Sequence, residues 1–362
     1  MELLKRVKPG QRVAVAMSGG VDSTSVALLL QENNIDIFGI TMYLFDVPDE
    51  RGQMGPPSFL QEARDTADRL GIDHHILDLR EVFRRGIQTY FADEYLKGRT
   101  PNPCVKCNRI VKYGLLLKEA MDLGATYMAT GHYANIRWDE ELECCRVYSG
   151  QADRKDQAYV LHGLTQWQLQ RILLPLGDIQ NKEEVRDKVR GWRKEVGDKK
   201  DSFGVCFIPD GDYGRFIQSF TDQEPRPGNF VDQEGRVLGQ HQGLVHYTIG
   251  QKRKLGIDLE EPLTVLSIDA PLNQIVLGPD RDCYASSLVA KKVNFIPFDT
   301  LTSMIQVDAK ICVWGYRLPA ILVPMKDGSV RVQFNEPVRA IAPGQSVVFY
   351  MGDEIIGGGI IE

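Results

Sequence analysis

Apolar and polar positions in the first half of the chain predict strands that alternate with helices. Continuous apolar runs, typical of strands buried on both faces, occupy 12–17, 35–45, 72–79 and 125–134. Segments with helical periodicity lie between them, at 22–34, 58–71 and 108–124. This alternation predicts an α/β domain with an open parallel sheet, in which ligands bind at the carboxyl ends of the strands.

The pattern changes in the second half of the chain. The segment 221–230 holds two prolines and a glycine and is typical of a linker. Beyond it, Glu234-Gly235 predicts a hairpin, and from about residue 286 short alternating runs are separated by turns such as Lys326-Asp327-Gly328. These runs predict a small closed β-barrel of roughly six strands. We therefore expect three domains, an α/β domain, a small β-rich central domain and a barrel, at 1–220, 221–285 and 286–362.

Composition narrows the class of protein. Charged residues make up 25% of the 362 positions and apolar residues 43%, which is ordinary for a globular protein. No apolar run approaches the ~20 residues that span a bilayer, and the first residues lack the layout of a signal peptide. We expect a cytoplasmic protein without a membrane partner.

The net charge of −6 argues against general nucleic-acid binding, but the charge is uneven. Residues 97–114 carry five Lys/Arg and no acid, and residues 186–200 carry seven Lys/Arg against three acids. Each run is either a solvated helix face or a local basic surface for a nucleic acid.

The segment MSGGVDST joins the first strand to the first helix and predicts an anion site. Its glycines permit close backbone approach, and its hydroxyls and the helix N-terminus suit phosphates. It lacks the Walker A and the dinucleotide-loop spacings. It resembles the pyrophosphatase-loop motif, which implies an enzyme that splits ATP between the α and β phosphates and places AMP on an oxygen. Mg²⁺ held with the phosphates would offset the charge of Asp22. The candidate residues are Met17, Ser18, Gly19, Gly20, Val21, Asp22, Ser23 and Thr24.

One Cys-x-x-Cys pair, Cys104 and Cys107, lies between two prolines and a predicted helix. Such a pair binds a metal, cycles as a dithiol or carries out sulfur chemistry. Zinc is disfavoured because no second pair or suitably spaced histidine follows. A helix N-terminus beside Lys106, Arg109 and Lys112 would favour a thiolate. Cys206, in a loop-like setting, is the second candidate nucleophile.

Seven stretches in order between residues 17 and 350 resemble the tRNA-specific 2-thiouridylase family. The resemblance implies a pyrophosphatase-loop ATP domain, a small central domain and a C-terminal β-barrel. It also implies ATP-dependent 2-thiolation of the wobble uridine of tRNA. The stretches are MSGGVDST, GRTPNPCVKCNRIVKYG, ATGHYA, RKDQAYVL, DSFGVCFI, HQGLVHYTIGQKRKLGI and PGQSVVFY.

The resemblance also assigns roles to residues. It implies that Cys107 is the nucleophile and Cys206 the persulfide carrier. Adenine and ribose contacts map to Met42, which we place just after the second strand, and to Gly131. The loop around the target base maps to Asn102, Pro103 and Cys104. Further tRNA contacts map to His132, Lys155, Asp156, Gln157 and Gln345.

The family's chemistry implies adenylation of the uracil C2 oxygen on a flipped-out base. A sulfur donor, either a cysteine desulfurase or a sulfur-relay protein, would load Cys206. The sulfur then displaces AMP, and Cys107 and Cys206 end as a disulfide that needs reduction.

Two departures from the family pattern matter. Many members carry aspartate where this chain has Cys104, so Cys104, Cys107 and Cys206 form an alternative set of ligands for a 4Fe–4S cluster that would give the same product. The barrel stretch AKICVWGYRLPA is less basic than usual, and it leaves Trp314, Tyr316 and Arg317 as candidates to stack on or pair with RNA.

Two rival functions remain open from the sequence. A small-molecule ligase would use the same phosphate loop but leaves the cysteines unexplained. An RNA-binding module with a metal clip would bind tRNA without making AMP.

Overall fold

The N-terminal half is built on a parallel sheet, as predicted. The computed structural model describes residue 4 and residues 6–152, 156–201, 204–222, 224–259 and 261–362. Strands β5, β2, β1, β6 and β9 lie side by side in that order, all parallel. The strands up to residue 201 are β1 Arg12–Ala16, β2 Asp36–Tyr43, β3 Val47–Pro48, β4 Met54–Gly55, β5 His74–Asp78, β6 Ala125–Ala129, β7 Ala134–Asp139, β8 Cys144–Ser149 and β9 Ile172–Leu173.

Helices cover this sheet and account for the continuous apolar runs of its strands. Val13, Ala14 and Val15 of β1 have no exposed surface, because both faces of the strand are packed. The helices are α1 Val21–Glu32, α2 Ser58–Leu70, α3 Arg80–Phe83, α4 Thr89–Leu96, α5 Pro103–Cys107, α6 Leu117–Asp122, α7 Gln166–Leu169, α8 Lys182–Trp192, α9 Lys194–Gly197 and α10 Tyr213–Thr221.

Two π-helical segments interrupt the α-helices. The π segment Arg84–Gln88 joins α3 to α4, and the π segment Asn108–Leu116 joins α5 to α6. The sequence prediction omitted the first of these helices, although Phe83, Ile87, Phe91 and Tyr95 are all buried along it. The second was predicted to begin at residue 108, but it begins at Pro103. The Cys-x-x-Cys pair therefore lies inside a helix and not ahead of it.

The central domain is a small β-sheet, also as predicted. Its strands lie in the order β11, β10, β13, β12, and the Glu234-Gly235 turn joins the antiparallel β10 and β11. The strands are β10 Gly228–Val231, β11 Val237–His241, β12 Thr264–Asp269 and β13 Gln274–Gly278.

The C-terminal domain is the predicted closed barrel. Six strands run in the order β14, β17, β16, β15, β18, β19, and pairing of β14 with β19 closes the ring. The strands are β14 Tyr284–Phe295, β15 Ile305–Lys310, β16 Leu318–Pro324, β17 Val330–Arg339, β18 Ser346–Met351 and β19 Glu354–Ile361. The hairpin of β7 and β8, from the N-terminal half, adds to β19 and ties the first domain to the barrel.

The segment 98–100, just ahead of the cysteine helix, touches both other domains. A Cβ on Gly98 would lie 2.5 Å from Cγ2 of Ile268 in the central sheet. The Thr100 amide donates to the Pro343 carbonyl of the barrel at 2.8 Å. The cysteine helix is thus anchored where three domains meet. No helix in the described part of the chain is long and apolar enough to cross a bilayer.

Candidate active site

The phosphate loop has the geometry of an anion site. Gly19 adopts a left-handed conformation with φ of +66°, and Gly20 caps α1 without a side-chain hydrogen bond. The hydroxyls of Ser23 and Thr24 donate back to the Gly20 carbonyl at 3.2 and 2.9 Å. The first amides of α1 therefore have no side-chain cap, which is the arrangement that binds phosphates. The helix predicted over 22–34 begins one residue earlier, at Val21, so Asp22 and Ser23 lie in its first turn.

Asp22 is held by protein groups on both of its oxygens. The Tyr133 hydroxyl donates to Oδ1 at 2.8 Å, and Lys182 Nζ lies 3.0 Å from Oδ2. Lys182 also pairs with Asp201 at 2.6 Å. The protein itself thus offsets the charge of Asp22, a task that the sequence analysis gave to Mg²⁺.

A second cation reaches the loop from the basic run 186–200. Lys199 Nζ donates to the Gly19 carbonyl at 2.8 Å and pairs with Glu62 at 2.6 Å. Arg186 pairs with Asp201 at 2.7 Å. Part of this run therefore faces the phosphate loop and is neither a solvated face nor an RNA surface.

The predicted nucleotide contacts gather near the same loop. A Cβ on Gly131 would lie 2.8 Å from Asp22 Cβ and 3.2 Å from the Ser23 amide, so the backbone after β6 presses on the start of α1. Met17 is buried at the end of β1. Met42 lies within β2, not after it as predicted, toward the carboxyl end of the strand.

The fold brings three of the thiols together. Burial, with a smaller contribution from the charge of Cys104, raises the pKa of Cys107 to about 11. Burial raises the pKa of Cys206 to about 12, with added contributions from the charges of Cys104 and Cys107. These mutual effects show that Cys206 faces the Cys-x-x-Cys pair across 99 residues of sequence. All seven cysteines, each within the described residues, are free thiols.

The thiols open onto a concave site. Cys104 and Cys206 are exposed at the surface and Cys107 is partly exposed, yet burial is the main cause that raises each pKa. Both observations are explained if the three thiols lie on the floor of a cleft, where solvent reaches each sulfur while protein surrounds it on most sides.

The expected stabilisation of a thiolate was wrong for this structure. Desolvation by the surrounding protein outweighs the nearby positive charge, so the raised pKa values keep the thiols protonated at neutral pH. Of the three cations expected to act on them, Lys106 lies over the Tyr90 ring, with its Nζ 4.1 Å from the ring centroid. Only Lys112 lowers the three thiol pKa values.

The cysteines do not form a metal-binding group. Among the described residues, no set of three or more His, Cys, Asp and Glu side chains has the geometry to hold a metal ion.

The helix N-terminus and the strand exit shape the rest of the cleft. Asn102 caps α5 by accepting from the Val105 amide at 3.4 Å, and Pro103 occupies the first helical position. Opposite them, His132 Nε2 lies 3.4 Å from Lys112 Nζ. Burial and Lys112 lower the pKa of His132 well below its usual value, so the ring is neutral.

Several candidate tRNA contacts are engaged within the protein. Asp156 accepts from the amides of Gly150 and Ala158 at 3.1 and 3.0 Å. Gln157 Oε1 accepts from the Tyr133 amide at 3.1 Å. Both residues organise the loop before β9, and Lys155 lies outside the described residues.

On the barrel, the three candidate RNA contacts differ. The Trp314 and Tyr316 side chains are 80% and 85% exposed and free to stack. Arg317 packs over the Tyr350 ring at 4.1 Å and donates to the Gly352 carbonyl at 2.8 Å. The Gln345 carbonyl accepts from the Ile361 amide at 2.8 Å, at the seam between β18 and β19.

Fold and site together define an α/β protein with a glycine loop suited to phosphates beside a cleft that holds three thiols. Three family models match the chain: a tRNA methyl transferase HUP domain over 11–210, a tRNA methyl transferase PRC-barrel domain over 214–279 and an aminomethyltransferase beta-barrel domain over 285–361.

Full-length relatives specify the family. The chain is 44% identical to the tRNA-specific 2-thiouridylase MnmA of Acetivibrio thermocellus, over 97% of this chain and 99% of the relative. It is 45% identical to the enzyme of the same name from Carboxydothermus hydrogenoformans, over 97% and 98%. The chain belongs to the tRNA-specific 2-thiouridylase family, which confirms the resemblance and makes it an enzyme of the tRNA sulfurtransferase class. The names of these relatives describe thiolation of tRNA, whereas the names of the first two family models describe methyl transfer.

Proposed function

We propose that this chain uses ATP to thiolate the C2 position of the wobble uridine of tRNA. The observation that carries the proposal is that two consecutive residues connect the phosphate loop with the thiol cleft. Gly131 presses on the phosphate loop, and His132 contacts Lys112, the cation of the thiol cleft. A nucleotide in the loop and a base at the thiols would therefore lie close enough to react with each other.

ATP would bind with its phosphates on the residues 17–24 and its nucleoside along Met42 and Gly131. Lys199 and Lys182, both at the loop, suit the charge of a pyrophosphate leaving group. A Mg²⁺ carried by the phosphates would have Asp22 as its protein ligand, in place of the contact to Lys182.

The target uridine would leave its stack and enter the thiol cleft. Asn102, Pro103 and Cys104 would line the base, with His132 and the residues 155–157 beside it. Transfer of AMP to the C2 oxygen forms a phosphate ester and releases pyrophosphate, which turns a poor leaving group into a good one.

A wider tRNA surface follows from the other two domains. Tyr316 is exposed on the barrel and Gln345 lies at its seam. A cavity of about 560 Å³ between the central domain and the barrel is lined by Gly250, Gln251, Lys252, Arg253, Lys254 and Arg339. Lys252 and Arg339 pair with Asp280 at 2.9 and 2.8 Å, and Arg253 and Lys254 suit phosphates of the tRNA backbone. Arg317, turned toward Tyr350, would act on tRNA only by moving from its present contacts.

Sulfur would arrive as a persulfide on Cys206, loaded by a cysteine desulfurase or a sulfur-relay protein. The terminal sulfur attacks C2, and AMP leaves with the C2 oxygen. The Cys107 thiolate then attacks Cys206 Sγ, a Cys107–Cys206 disulfide forms, and the sulfur on C2 departs as 2-thiouridine. Alternatively, Cys107 attacks first and releases hydrosulfide, which displaces AMP. Either route oxidises the two cysteines by two electrons, and an external dithiol restores them.

A thiolation assay with cysteine variants tests the proposal. We expect Cys107→Ser and Cys206→Ser each to lower 2-thiouridine formation at least about a thousandfold, because each removes a reacting sulfur. ATP binding should persist, since neither sulfur belongs to the phosphate loop. Mass spectrometry of nucleosides from the tRNA measures the product, and Cys312→Ser, away from the cleft, is the matched control.

Two results would overturn the proposal. One is 2-thiouridine at the normal rate in either cleft variant. The other is release of AMP and pyrophosphate with a small acceptor in the absence of tRNA, which would identify a small-molecule ligase. Full activity of iron-free protein is expected for the persulfide route, whereas activity that requires an iron–sulfur cluster would favour Cys104, Cys107 and Cys206 as its ligands.

A further inference from the structure

The turn from β1 into the phosphate loop is held at both ends of one peptide group. The carbonyl of Met17 accepts from the Thr41 hydroxyl at 2.9 Å. The amide of the same peptide group, that of Ser18, donates to Ser23 Oγ at 3.2 Å. Because a peptide group is planar, bonds at its two ends fix its orientation. The loop therefore leaves β1 in a defined direction before α1 begins.

His74 of β5 supports this arrangement from two strands away. Its Nε2 lies 2.8 Å from Thr41 Oγ1. The Thr41 hydroxyl has one hydrogen, and that hydrogen points to the Met17 carbonyl, because a carbonyl can only accept. His74 Nε2 therefore carries a proton and donates it to Thr41. The two bonds form a chain that runs from β5 through β2 to the end of β1.

The His74 ring is neutral, and the bond to Thr41 selects its tautomer. Nδ1 is buried and has no hydrogen-bond partner in the described part of the chain, so a second proton there would be left unpaired. Burial, with smaller effects of Arg64 and His75, lowers the pKa of His74. At neutral pH the ring thus keeps one proton, on the nitrogen that faces Thr41.

Gly39 makes room for the ring beside the phosphate loop. It lies opposite His74 in the pairing of β2 with β5, and Thr41 follows it on the same face of the sheet. A Cβ on Gly39 would lie 2.8 Å from His74 Cδ2 and 2.6 Å from Met17 Sδ. Without a side chain at this position, the imidazole and the Met17 side chain both pack against the strand.

We propose that His74, acting through Thr41, positions the first peptide group of the phosphate loop and so sets the affinity of the enzyme for the phosphates of ATP. A loop that already has its bound shape loses less binding energy to its own ordering. His74 is a positioning residue in this inference, because it acts through two hydrogen bonds. The inference deepens the proposed thiolation and rests on ATP as the ligand of residues 17–24.

Equilibrium binding to the free enzyme tests the inference without tRNA. Isothermal titration calorimetry gives Kd for ATP and, in a separate titration, for adenosine, which has no phosphates. The amide of His74→Asn ends one bond short of the position of Nε2. For this variant we expect Kd for ATP to rise about fivefold, the loss of one hydrogen bond. Kd for adenosine should stay within about twofold.

Matched variants separate the hydrogen-bond chain from general packing. His74→Gln keeps a donor as many bonds from Cβ as Nε2 is, and it should bind ATP within about twofold of the native enzyme. Thr41→Val should match His74→Asn, and the double variant should lose no more than either change alone, because both break the same chain. His75→Gln, at the exposed neighbouring position, should leave both Kd values unchanged. Urea unfolding checks that each variant is folded.

Three results would overturn the inference. They are native affinity for ATP in His74→Asn, an equal loss for ATP and adenosine in that variant, and no recovery in His74→Gln. None of them touches the thiolase proposal, since ATP would still bind and thiolation would still proceed. That proposal fails instead if the native enzyme binds ATP and forms no 2-thiouridine.

Discussion

At the scale of single residues, the site depends on close backbone contacts that leave no room for an additional side-chain atom. Gly131 is the clearest case, because its missing side chain lets the exit of β6 lie directly on the first turn of α1. Its neighbour His132 turns the other way, toward Lys112. Two consecutive residues thus fix the spacing between the phosphate loop and the thiol cleft.

Gly131→Ala should impair ATP binding specifically. The new Cβ would lie 2.8 Å from Asp22 Cβ and 3.0 Å from the Asp22 carbonyl carbon, and backbone cannot yield as a flexible side chain does. We expect KM for ATP to rise at least about tenfold, which corresponds to ~1.4 kcal/mol of lost binding, with little change in KM for tRNA. Steady-state kinetics with each substrate varied in turn measure the effect.

Gly191→Ala is the control for this prediction. It lies in α8, and a Cβ there would meet nothing within 4 Å. An alanine at 131 that leaves KM for ATP unchanged would show that the backbone contact does not position the loop.

At the scale of elements, the cysteine helix shows what sequence patterns reveal and what they miss. The sequence predicted a helix here and the two cysteines as its chemistry. It did not predict the nine-residue π segment, because apolar positions compatible with an α-helix are compatible with a π-helix over so short a stretch. The prediction that nearby cations stabilise a thiolate was wrong for a related reason. The sequence shows which cations lie near the cysteines in the chain, but not where their side chains point.

The omitted helix at 80–96 was visible in principle. Phe83, Ile87, Phe91 and Tyr95 recur every four residues, and all are buried. Arginines and a glycine between them obscured the pattern. The pairing of the β7–β8 hairpin with β19 was also unpredicted. The two partners are about two hundred residues apart in the chain, and such a contact leaves no local signal in the sequence.

The N-cap of the cysteine helix offers a test at this scale. Asn102→Ala removes the acceptor for the Val105 amide and should lower the free energy of unfolding by about 0.5–1 kcal/mol; the long bond of 3.4 Å favours the lower figure. Asn102→Asp keeps an acceptor and should retain the stability of the native residue. Urea unfolding followed by circular dichroism measures both, and equal losses in the two variants would contradict a capping role.

At the scale of the whole molecule, the three domains act as one support for the cleft. The sequence identified their order and the barrel of six strands, because linker composition and alternation are local properties. The contacts between the domains could not be predicted from the sequence. The segment 98–100 bonds to the barrel through Thr100 and Pro343, and β8 extends the barrel sheet at β19. Such contacts depend on the complete fold.

His162 lies at one of these junctions and makes the assembly sensitive to acid. Its carbonyl accepts from Asn294 of the barrel at 2.8 Å, and a Cβ on Gly358 of β19 would lie 2.6 Å from its Nδ1. Within the described part of the chain, neither ring nitrogen has a hydrogen-bond partner. Burial, with a smaller effect of Arg109, lowers the pKa of His162 to about 4.

The direction of the pH effect follows from this lowered pKa. The unfolded chain binds a proton at its ordinary pKa of about 6.5, whereas the folded protein resists it. The stability contributed by neutral His162 is therefore complete above about pH 6.5 and is lost as the pH falls toward 4. The full loss is about 3 kcal/mol, from ~1.4 kcal/mol per pKa unit.

His162→Leu should remove this dependence. We expect the difference in unfolding free energy between pH 7 and pH 4 to shrink by about 3 kcal/mol relative to the native protein, because leucine has no proton to bind at the junction. Chemical denaturation at both pH values measures it, and His75→Gln, at an exposed position, controls for the loss of a histidine as such. The same acid sensitivity in the leucine variant would show that carboxylates, and not this junction, cause the loss of stability.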